Sequence, residues 1–294
     1  MAPDLSERNE RRERMANSLR HRSDGPHLMG IINVTNDSFF ADSRALMDEA
    51  VQRALLMWAA GATWVDIGGE STRPGASPIS LDEELQRVIP VISTLRGLGA
   101  EGYISIDTRH AKVAEAALNA GADMVNDVSG LRDPAMQEVV LRHRCAVCIM
   151  HMQGSPGTMQ VEPTYGDCVA EVQAQLRESA DRLVQQGHDP ELILLDPGIG
   201  FGKTQEHNLE LLNAGKSLAH GTPYGVLWGV SRKSVVGHLT GQNDPQNRLF
   251  GTLGMGMASH HHGIDVLRVH DVEEHLEAFS CYTPLIKKPN RPRE

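Results

Sequence analysis

Cysteine, an excess of basic residues and long apolar runs are all missing or scarce in this sequence. Four cysteines in 294 residues are too few for a disulfide scaffold, so a reducing cytoplasm is the expected compartment. Acidic residues outnumber basic ones by 38 to 28, which excludes a general nucleic-acid binder that needs a basic face. No apolar stretch approaches the roughly 18 residues of a membrane span. The remaining composition, 40% hydrophobic and 22% charged, is typical of a globular protein.

Both ends of the chain are polar, and composition divides the sequence into three parts. Residues 1–26 mix arginine with glutamate and contain no apolar stretch, so we predict a polar N-terminal extension, a solvated helix or tail, that is not a secretory signal. Residues 283–294 predict a basic C-terminal tail. The folded domain is predicted to span residues 27–282.

Between these ends one pattern occurs eight times, a short apolar run followed by an amphipathic stretch. Runs this rich in Ile, Val, Leu and Met are expected of parallel strands buried on both faces. The runs are His27–Val34, Trp64–Gly69, Tyr103–Thr108, Met124–Val128, Ala146–Met152, Leu192–Gly198, Val226–Ser231 and Val266–Asp271. Eight such units predict an α/β fold, a single (β/α)8 TIM barrel. An open doubly wound sheet is the alternative, disfavoured because no G-x-G-x-x-G follows the first run.

Polar and charged residues stand at the carboxyl ends of these runs, where a barrel keeps its chemistry. They include acids, amides, cations and a histidine: Asn33, Arg73, Asp107, Asn126, Asp196, Lys233, Arg268 and His270. Charged groups near a barrel mouth are destabilising unless they pair with one another or with a ligand. This set is suited to bind a flat polar heterocycle together with an anionic group.

Three other patterns resemble functional sites and are better explained by structure. Gly198–Thr204 resembles a phosphate-binding loop, but Pro197 occupies the first glycine position, so we predict no ATP binding there. His260–His262 are consecutive, and consecutive helical side chains point in different directions, which argues against a shared metal. Cys145 and Cys148 lie in or beside an apolar run, and no second C-x-x-C completes a zinc site.

Eight motifs, one for each run, make the sequence resemble the dihydropteroate synthase family closely. They occur in the family's order over about 240 residues, and the second, sixth and eighth are the most specific. The motifs are M-G-I-I-N-V-T-N-D-S-F (29–39), G-G-E-S-T-R-P-G (68–75), S-I-D-T (105–108), N-D-V-S-G (126–130), M-H-M-Q-G-S-P (150–156), L-D-P-G-I-G-F-G-K (195–203), G-V-S-R-K-S (229–234) and R-V-H-D (268–271).

The resemblance implies a Mg²⁺-dependent transferase with two small-molecule substrates. Enzymes of this family join a dihydropterin methyl diphosphate to p-aminobenzoate, releasing pyrophosphate and forming 7,8-dihydropteroate for folate synthesis. The resemblance also implies a homodimer formed through the side of the barrel that includes Leu253–Met257. Neither nucleic acid nor a membrane is expected as a partner.

The resemblance also assigns roles to residues, motif by motif. Residues implied to hold the pterin edge are Asp107, Asn126, Asp196 and Lys233. Residues implied to flank the pterin ring are Met150 and Phe201. Residues implied to cradle the diphosphate are Arg73, Arg268 and His270, with Asn33 as the ligand of its Mg²⁺. Thr72 and Ser234 are implied to lie near the ligands. The implied catalytic residues are Asp107, Asp196, Lys233 and Arg268.

The first loop departs from the family pattern, and two other functions remain open at this point. Asn36 replaces the proline of the usual T-P-D-S-F, and Phe40 and Arg44 make the loop bulkier and more charged, somewhat as in sulfonamide-insensitive members. A pterin-dependent methyltransferase domain is one alternative, but it is not expected to carry S-T-R-P-G or S-R-K-S. A non-catalytic pterin-binding paralogue is the other, but it is expected to lose the diphosphate ligands that this chain keeps.

Overall fold

Eight parallel strands form a closed barrel in chain order, with the last strand pairing with the first. The computed structural model describes residues 5–35, 43–71, 78–154 and 157–286. The strands are β1 (His27–Asn33), β2 (Trp64–Gly68), β3 (Tyr103–Asp107), β4 (Met124–Asp127), β5 (Ala146–Met150), β6 (Ile193–Asp196), β7 (Gly225–Gly229) and β8 (Val266–Val269). Each coincides with one predicted run, so the predicted TIM barrel is confirmed.

Helices cover the outside of the barrel, and one helix precedes it. They are α1 (Leu5–Asn17), α2 (Ser43–Ala60), α3 (Leu81–Gly97), α4 (Ala111–Ala120), α5 (Pro134–His143), α6 (Cys168–Gln185), α7 (Gln205–Ala214), α8 (Ser234–Thr240), α9 (Leu249–His261) and α10 (Val272–Ile286). Short 3-10 helices span Pro190–Leu192, Gly215–Ala219 and Pro245–Arg248. Because the strands are parallel, their carboxyl ends meet at one end of the barrel, the mouth, and their amino ends meet at the base.

Local sequence signals fix where the helices begin and end. The Ser80 hydroxyl accepts a hydrogen bond from the Glu83 backbone N–H at 3.2 Å, which caps the first turn of α3. Gly121 ends α4 in the left-handed conformation, with φ of 111°, which a residue with a Cβ adopts at a penalty. These caps return the chain to the next strand at the correct end of the barrel.

The N-terminal extension closes the base of the barrel. Met15, Ala16 and Leu19 are buried in one cluster with Trp64 from the inner wall, and Trp64 Nε1 donates to Ser18 Oγ at 3.1 Å. Burial of a large apolar side chain contributes about 1.5–3 kcal/mol, so this segment is part of the core. The predicted helix is present, and its Arg12, Glu13 and Arg14 are exposed. The prediction missed that the few apolar residues of this segment pack against the barrel.

The C-terminal helix continues past the predicted domain boundary at residue 282. Helix α10 runs to Ile286, and Thr283 is buried, with its hydroxyl donating to the Asp24 carbonyl oxygen at 3.1 Å. The boundary therefore falls inside a packed helix. The rest of the predicted basic tail, residues 287–294, lies outside the described residues.

The patterns set aside in the sequence have structural roles. Cys145 and Cys148 are free and buried in the barrel wall. His260 is buried, with its ring against Phe279 and Tyr282. Across the described ranges, no group of three or more His, Cys, Asp or Glu side chains is arranged to hold a metal. In the same ranges, no helix is long and apolar enough to cross a membrane.

Candidate active site

The barrel lumen just below the mouth gathers polar side chains from several strands. Alternate residues of each strand point inward, and the strand register aligns Asp107 with Asn126 and Met150 with Asp196. Arg268 enters the same layer from β8 and bonds directly to Asp107. The predicted pterin-edge residues are thus brought together by the alternation of the strands.

One guanidinium joins two carboxylates across the lumen. Arg268 Nε donates to Asp66 Oδ2 at 2.5 Å, and its Nη2 donates to Asp107 Oδ2 at 2.6 Å. Asn126 Nδ2 donates to the same Asp66 oxygen at 3.0 Å. The second oxygens of Asp66 and Asp107 are buried without a hydrogen-bond partner among the residues described. A bound molecule that brings its own donors would satisfy them.

Burial dominates the electrostatics of this cluster. It raises the pKa of Asp107 to about 7, against the attraction of Arg268 and with added repulsion from Asp66. Burial alone would lower the pKa of Arg268, but the attraction of Asp66 and Asp107 raises it above its usual value. Arg268 therefore stays charged, and Asp107 exchanges a proton near neutrality, which fits a group that changes partners on binding.

Asp66 is a member of this site that the sequence analysis missed. It is fully buried in the middle of β2, whereas the residues predicted for the site stand at the strand ends. The signal was nevertheless present, because Asp66 stands two residues before Gly68 and period-two alternation turns it inward, as it turns Asp107 on β3. A charged residue inside an apolar strand is unusual enough to mark a site.

Asp196 and Lys233 form the other half of the polar layer. Asp196 Oδ1 accepts from the Gly198 N–H at 2.8 Å, and Lys233 Nζ donates to the Ile199 carbonyl at 2.6 Å. Burial raises the pKa of Asp196, opposed by Lys233, and burial lowers the pKa of Lys233 to about 8, opposed by Asp196. The pair presents an acceptor and a donor side by side at the lumen.

A sulfur-rich wall borders this layer. Met150 packs in a buried cluster with Val128, Met152 and Met159, and Phe201 packs against the cluster. Lys233 Nζ lies 4.6 Å from the centre of the Phe201 ring, a cation–π contact that holds the ring in place. Thioether and phenyl surfaces of this kind are suited to the faces of a flat heterocycle.

Comparison with known proteins places this site in a family. The family described as pterin binding enzyme matches residues 29–270. The chain is 45% identical over 256 residues to the dihydropteroate synthase of Escherichia coli (strain K12), an alignment that covers 86% of this chain and 89% of that one. The chain belongs to the dihydropteroate synthase family. The predicted family and synthase assignment are thereby confirmed.

Solved dihydropteroate synthases have the same fold. The Burkholderia cenocepacia enzyme, complexed with 7,8-dihydropteroate, superposes with a TM-score of 0.80 at 42% identity, covering 88% of this chain and 91% of that one. The Xanthomonas albilineans enzyme, with 4-aminobenzoic acid, gives 0.82 at 40% identity, covering 91% and 95%. The similarity to dihydropteroate synthases in both sequence and structure therefore extends over about nine tenths of the chain.

The remaining predicted residues of this synthase lie at the rim of the mouth. His270 Nδ1 is 2.9 Å from Ser231 Oγ, and Arg232 Nε donates to Asp271 Oδ2 at 3.0 Å. Asn33 ends β1 and Ser234 begins α8, and both are exposed. Their proposed ligand contacts stay predictions.

Part of the predicted site is not covered by the structure. Thr72, predicted near the ligands, and Arg73, predicted to cradle the diphosphate, lie outside the described residues. Asn36 and Phe40 of the unusual first loop also lie outside them, whereas Arg44 is exposed at the start of α2. The part of the predicted site that the structure describes is therefore the lumen layer with part of its rim.

Proposed function

We propose that this chain condenses a (7,8-dihydropterin-6-yl)methyl diphosphate with p-aminobenzoate, giving 7,8-dihydropteroate and pyrophosphate for folate biosynthesis. The observation that carries the proposal is the layer formed by the buried Asp107, Asn126 and Asp196 with the half-buried Lys233, beside the wall of Met150 and Phe201. A pterin offers a matching pattern, a flat ring with several donors and acceptors along one edge. The family membership and the ligands named for the solved relatives support the same reaction.

The pterin edge is recognised by charge-assisted hydrogen bonds. Asp196 accepts two N–H groups of the aminopyrimidinone, while Asn126 and Lys233 supply donors to its acceptor atoms. Hydrogen bonds to charged groups contribute about 1.5–3 kcal/mol each. A buried site built from such groups rejects analogues that lack the donors by up to about 10⁴-fold. Met150 and Phe201 bind the two faces and exclude water from these bonds.

Arg268 connects the pterin site to the diphosphate site. Asp66 and Asp107 both pair with its guanidinium. When the pterin engages Asp107, one arm of the guanidinium is freed to face the diphosphate, while Asp66 keeps the other arm in place. Arg73 and His270 are proposed to complete the cationic surround at the rim. A charge pair at about 4 Å is worth about 4 kcal/mol at an effective dielectric constant of 20.

Asn33 fits the protein ligand of a Mg²⁺ ion that travels with the diphosphate. Its side chain is exposed at the end of β1, and the described chain holds no cluster of metal-ligating side chains. Mg²⁺ commonly takes one or two protein oxygens and fills its other positions with substrate phosphates and water. When bound, the ion neutralises part of the charge on the leaving diphosphate.

The reaction is a substitution at the pterin methylene. The arylamine nitrogen of p-aminobenzoate forms a bond to the methylene carbon, and the C–O bond to the diphosphate breaks with its electron pair on oxygen. The amine proton passes to water at the open mouth. We propose that the carboxylates of Asp107 and Asp196 stabilise positive charge on the pterin methylene, and that Arg268 stabilises the departing oxygen.

The first test is pyrophosphate release from the dihydropterin diphosphate, p-aminobenzoate and Mg²⁺, each omitted in turn. Release that requires both substrates, is lost without Mg²⁺ and is abolished in Arg268→Ala is the expected result. Tight pterin binding by calorimetry without release would contradict the synthase reaction and leave a pterin binder. Calorimetric titrations with p-aminobenzoate and with a sulfonamide measure the affinities of the chain, with its unusual first loop, for that substrate and for its competitor.

We also propose that the chain acts as a homodimer in the cytoplasm. Phe250 is 83% exposed at the start of α9, and Leu239 is 52% exposed at the end of α8. Leu253 and Met257 follow Phe250 on the same face of α9 by helical spacing. An apolar face of this kind is suited to a second copy of the chain. The four free cysteines fit a reducing compartment.

Light scattering on a sizing column tests the assembly. We expect twice the chain mass for the wild type and a monomer for Phe250→Glu. A monomeric wild type at micromolar concentration would contradict the dimer.

A further inference from the structure

A buried lysine bridges the two mouth loops that carry the proposed ring contacts. Lys203 is 4% exposed, and its Nζ lies 3.0 Å from His151 Nδ1, 3.3 Å from the His151 carbonyl oxygen and 2.9 Å from the Phe201 carbonyl oxygen. His151 directly follows Met150 at the end of β5, and Phe201 lies in the loop after β6. One amino group therefore joins the segment that bears Met150 to the segment that bears Phe201.

The three partners match the three N–H groups of an ammonium. Burial and the nearby charge of Lys203 lower the pKa of His151 to about 3, so its ring is neutral and Nδ1 can accept a hydrogen bond. Burial lowers the pKa of Lys203 to about 7, and Lys203 forms no ion pair with a carboxylate of the described chain. A buried amino group destabilises the fold whether it stays charged or gives up its proton, and Asp196 offsets only part of this by attraction. The burial of Lys203 therefore indicates a role beyond filling space.

The loops meet so closely that the bridge controls their spacing. Gly198 and Gly202 have φ of +66° and +64°, and a Cβ on Gly202 would lie 2.8 Å from the Gln153 carbonyl oxygen. Tyr165 adds a second tie, because its hydroxyl donates to the Gly202 carbonyl at 2.8 Å. With backbone this close to backbone, a change at Lys203 is transmitted directly to Phe201 and Met150.

We propose that Lys203 is a positioning residue that sets the separation between Met150 and Phe201, and with it the affinity for the pterin ring. The proposal rests on the proposed function, in which these two side chains flank the pterin. Lys203 does not reach the reacting atoms. Its effect is expected on binding of the pterin substrate, and not on p-aminobenzoate, because the Lys203 bridge holds only the walls of the pterin slot.

The test compares Lys203→Met with Lys216→Met. Lys216 is a half-exposed lysine whose amino group pairs with the buried carboxylate of Asp265 at the base of the barrel, remote from the mouth. We expect Lys203→Met to raise the KM and the calorimetric Kd for the dihydropterin diphosphate about tenfold, with KM for p-aminobenzoate changed less than about twofold. Lys216→Met is expected to lower the melting temperature and leave both KM values unchanged. An unchanged pterin Kd in folded Lys203→Met would overturn the proposal.

A second pair of variants tests the same bridge from the other side. Asn at 151 keeps an acceptor near the position of Nδ1, whereas Leu removes it. His151→Asn is therefore expected to bind the pterin much as the wild type does, and His151→Leu to bind it as weakly as Lys203→Met. Equal affinities of the two variants would contradict the bridge. Asp196→Asn distinguishes failure of the proposed function from failure of this inference. Pterin binding that survives in Asp196→Asn would contradict the proposed function. Loss of pterin binding in Asp196→Asn together with wild-type binding in Lys203→Met would contradict only the role of Lys203.

Discussion

The two ends of the barrel are built from the same alternating strands and behave in opposite ways. At the base, inward residues such as Trp64 are covered by Met15 and Leu19 of the N-terminal segment, and the lumen is closed. At the mouth, the next inward residues, Asp66 and Asp107, are charged and keep oxygens without partners among the described residues. The apolar packing at the base stabilises the fold, whereas the polar atoms without partners at the mouth are available to a ligand. A substitution at the base is therefore expected to alter stability, and one at the mouth to alter ligand binding.

The largest expected effect is a loss of binding at the mouth. Asp196→Asn exchanges a buried carboxylate for a neutral group of the same shape, and the pterin affinity is expected to fall by about a hundredfold or more. Because burial already raises the pKa of this carboxyl, the free energy of unfolding should stay the same or increase. Calorimetric titration and urea denaturation measure the two quantities. A variant that loses stability and keeps its affinity would refute the contrast.

The matching change at the base is Trp64→Ala. Trp64 is fully buried, stacks on Tyr103 with ring centroids 4.7 Å apart and bonds to Ser18. Its truncation is expected to lower the free energy of unfolding by about 3–5 kcal/mol. Both KM values of the folded fraction should remain within about twofold of wild type, since the mouth is untouched. Urea denaturation and initial rates at low temperature check this, and a large rise in pterin KM would show that the ends are coupled.

Asp66→Asn is expected to affect both properties because Asp66 lies between the two ends. The change removes the negative charge that holds Arg268 and replaces one buried oxygen by an amide N–H2 that has no acceptor. We therefore expect kcat/KM to fall about tenfold and stability to fall by about 2 kcal/mol. The control is Asp265→Asn, since Asp265 is a buried carboxylate at the base that binds Lys216. The control should lose stability alone. Equal kinetics in the two variants would remove Asp66 from the site.

The last expected effect is a dependence of stability on pH that arises at the mouth. The pKa of Asp107 is raised to about 7 in the folded protein, above the roughly 3.9 of an unfolded aspartate. The folded state therefore holds this proton more tightly, and the contribution to stability, complete below about pH 4, is lost as pH rises to about 7. Urea denaturation of the wild type and of Asp107→Asn between about pH 4 and pH 7 isolates the contribution of Asp107 to the free energy of unfolding. A stability difference that is constant with pH would exclude it.

The sequence was sufficient for whatever depends on order along the chain. Short apolar runs, each followed by an amphipathic stretch, located all eight strands, and the family resemblance assigned Asp107, Asn126, Asp196 and Lys233 to one pterin edge. These features are local, because a strand end and its side chains lie within a few residues of each other. Two short polar segments were misjudged for the same reason, since only their packing partners show that Leu19 and Thr283 are buried.

Contacts across the lumen were beyond the sequence. Arg268 and Asp66 are 202 residues apart, and no motif in the sequence indicates that their side chains meet. The Lys203 bridge is a similar case, since its lysine was set aside with a loop that fails to match a phosphate-binding pattern. Its partner His151 is 52 residues away. Such pairings form only when the barrel closes and brings distant strands together, so the pattern within each strand does not indicate them.

The contact between Thr283 and Asp24 has a practical consequence for how the protein can be extended. It places the last described helix beside the segment that leads into β1, and α1 covers the base close by. Both described ends of the chain therefore lie at the closed end of the barrel, opposite the mouth. An affinity tag, a fluorescent reporter or another catalytic domain fused at either end would leave the entrance for substrates open.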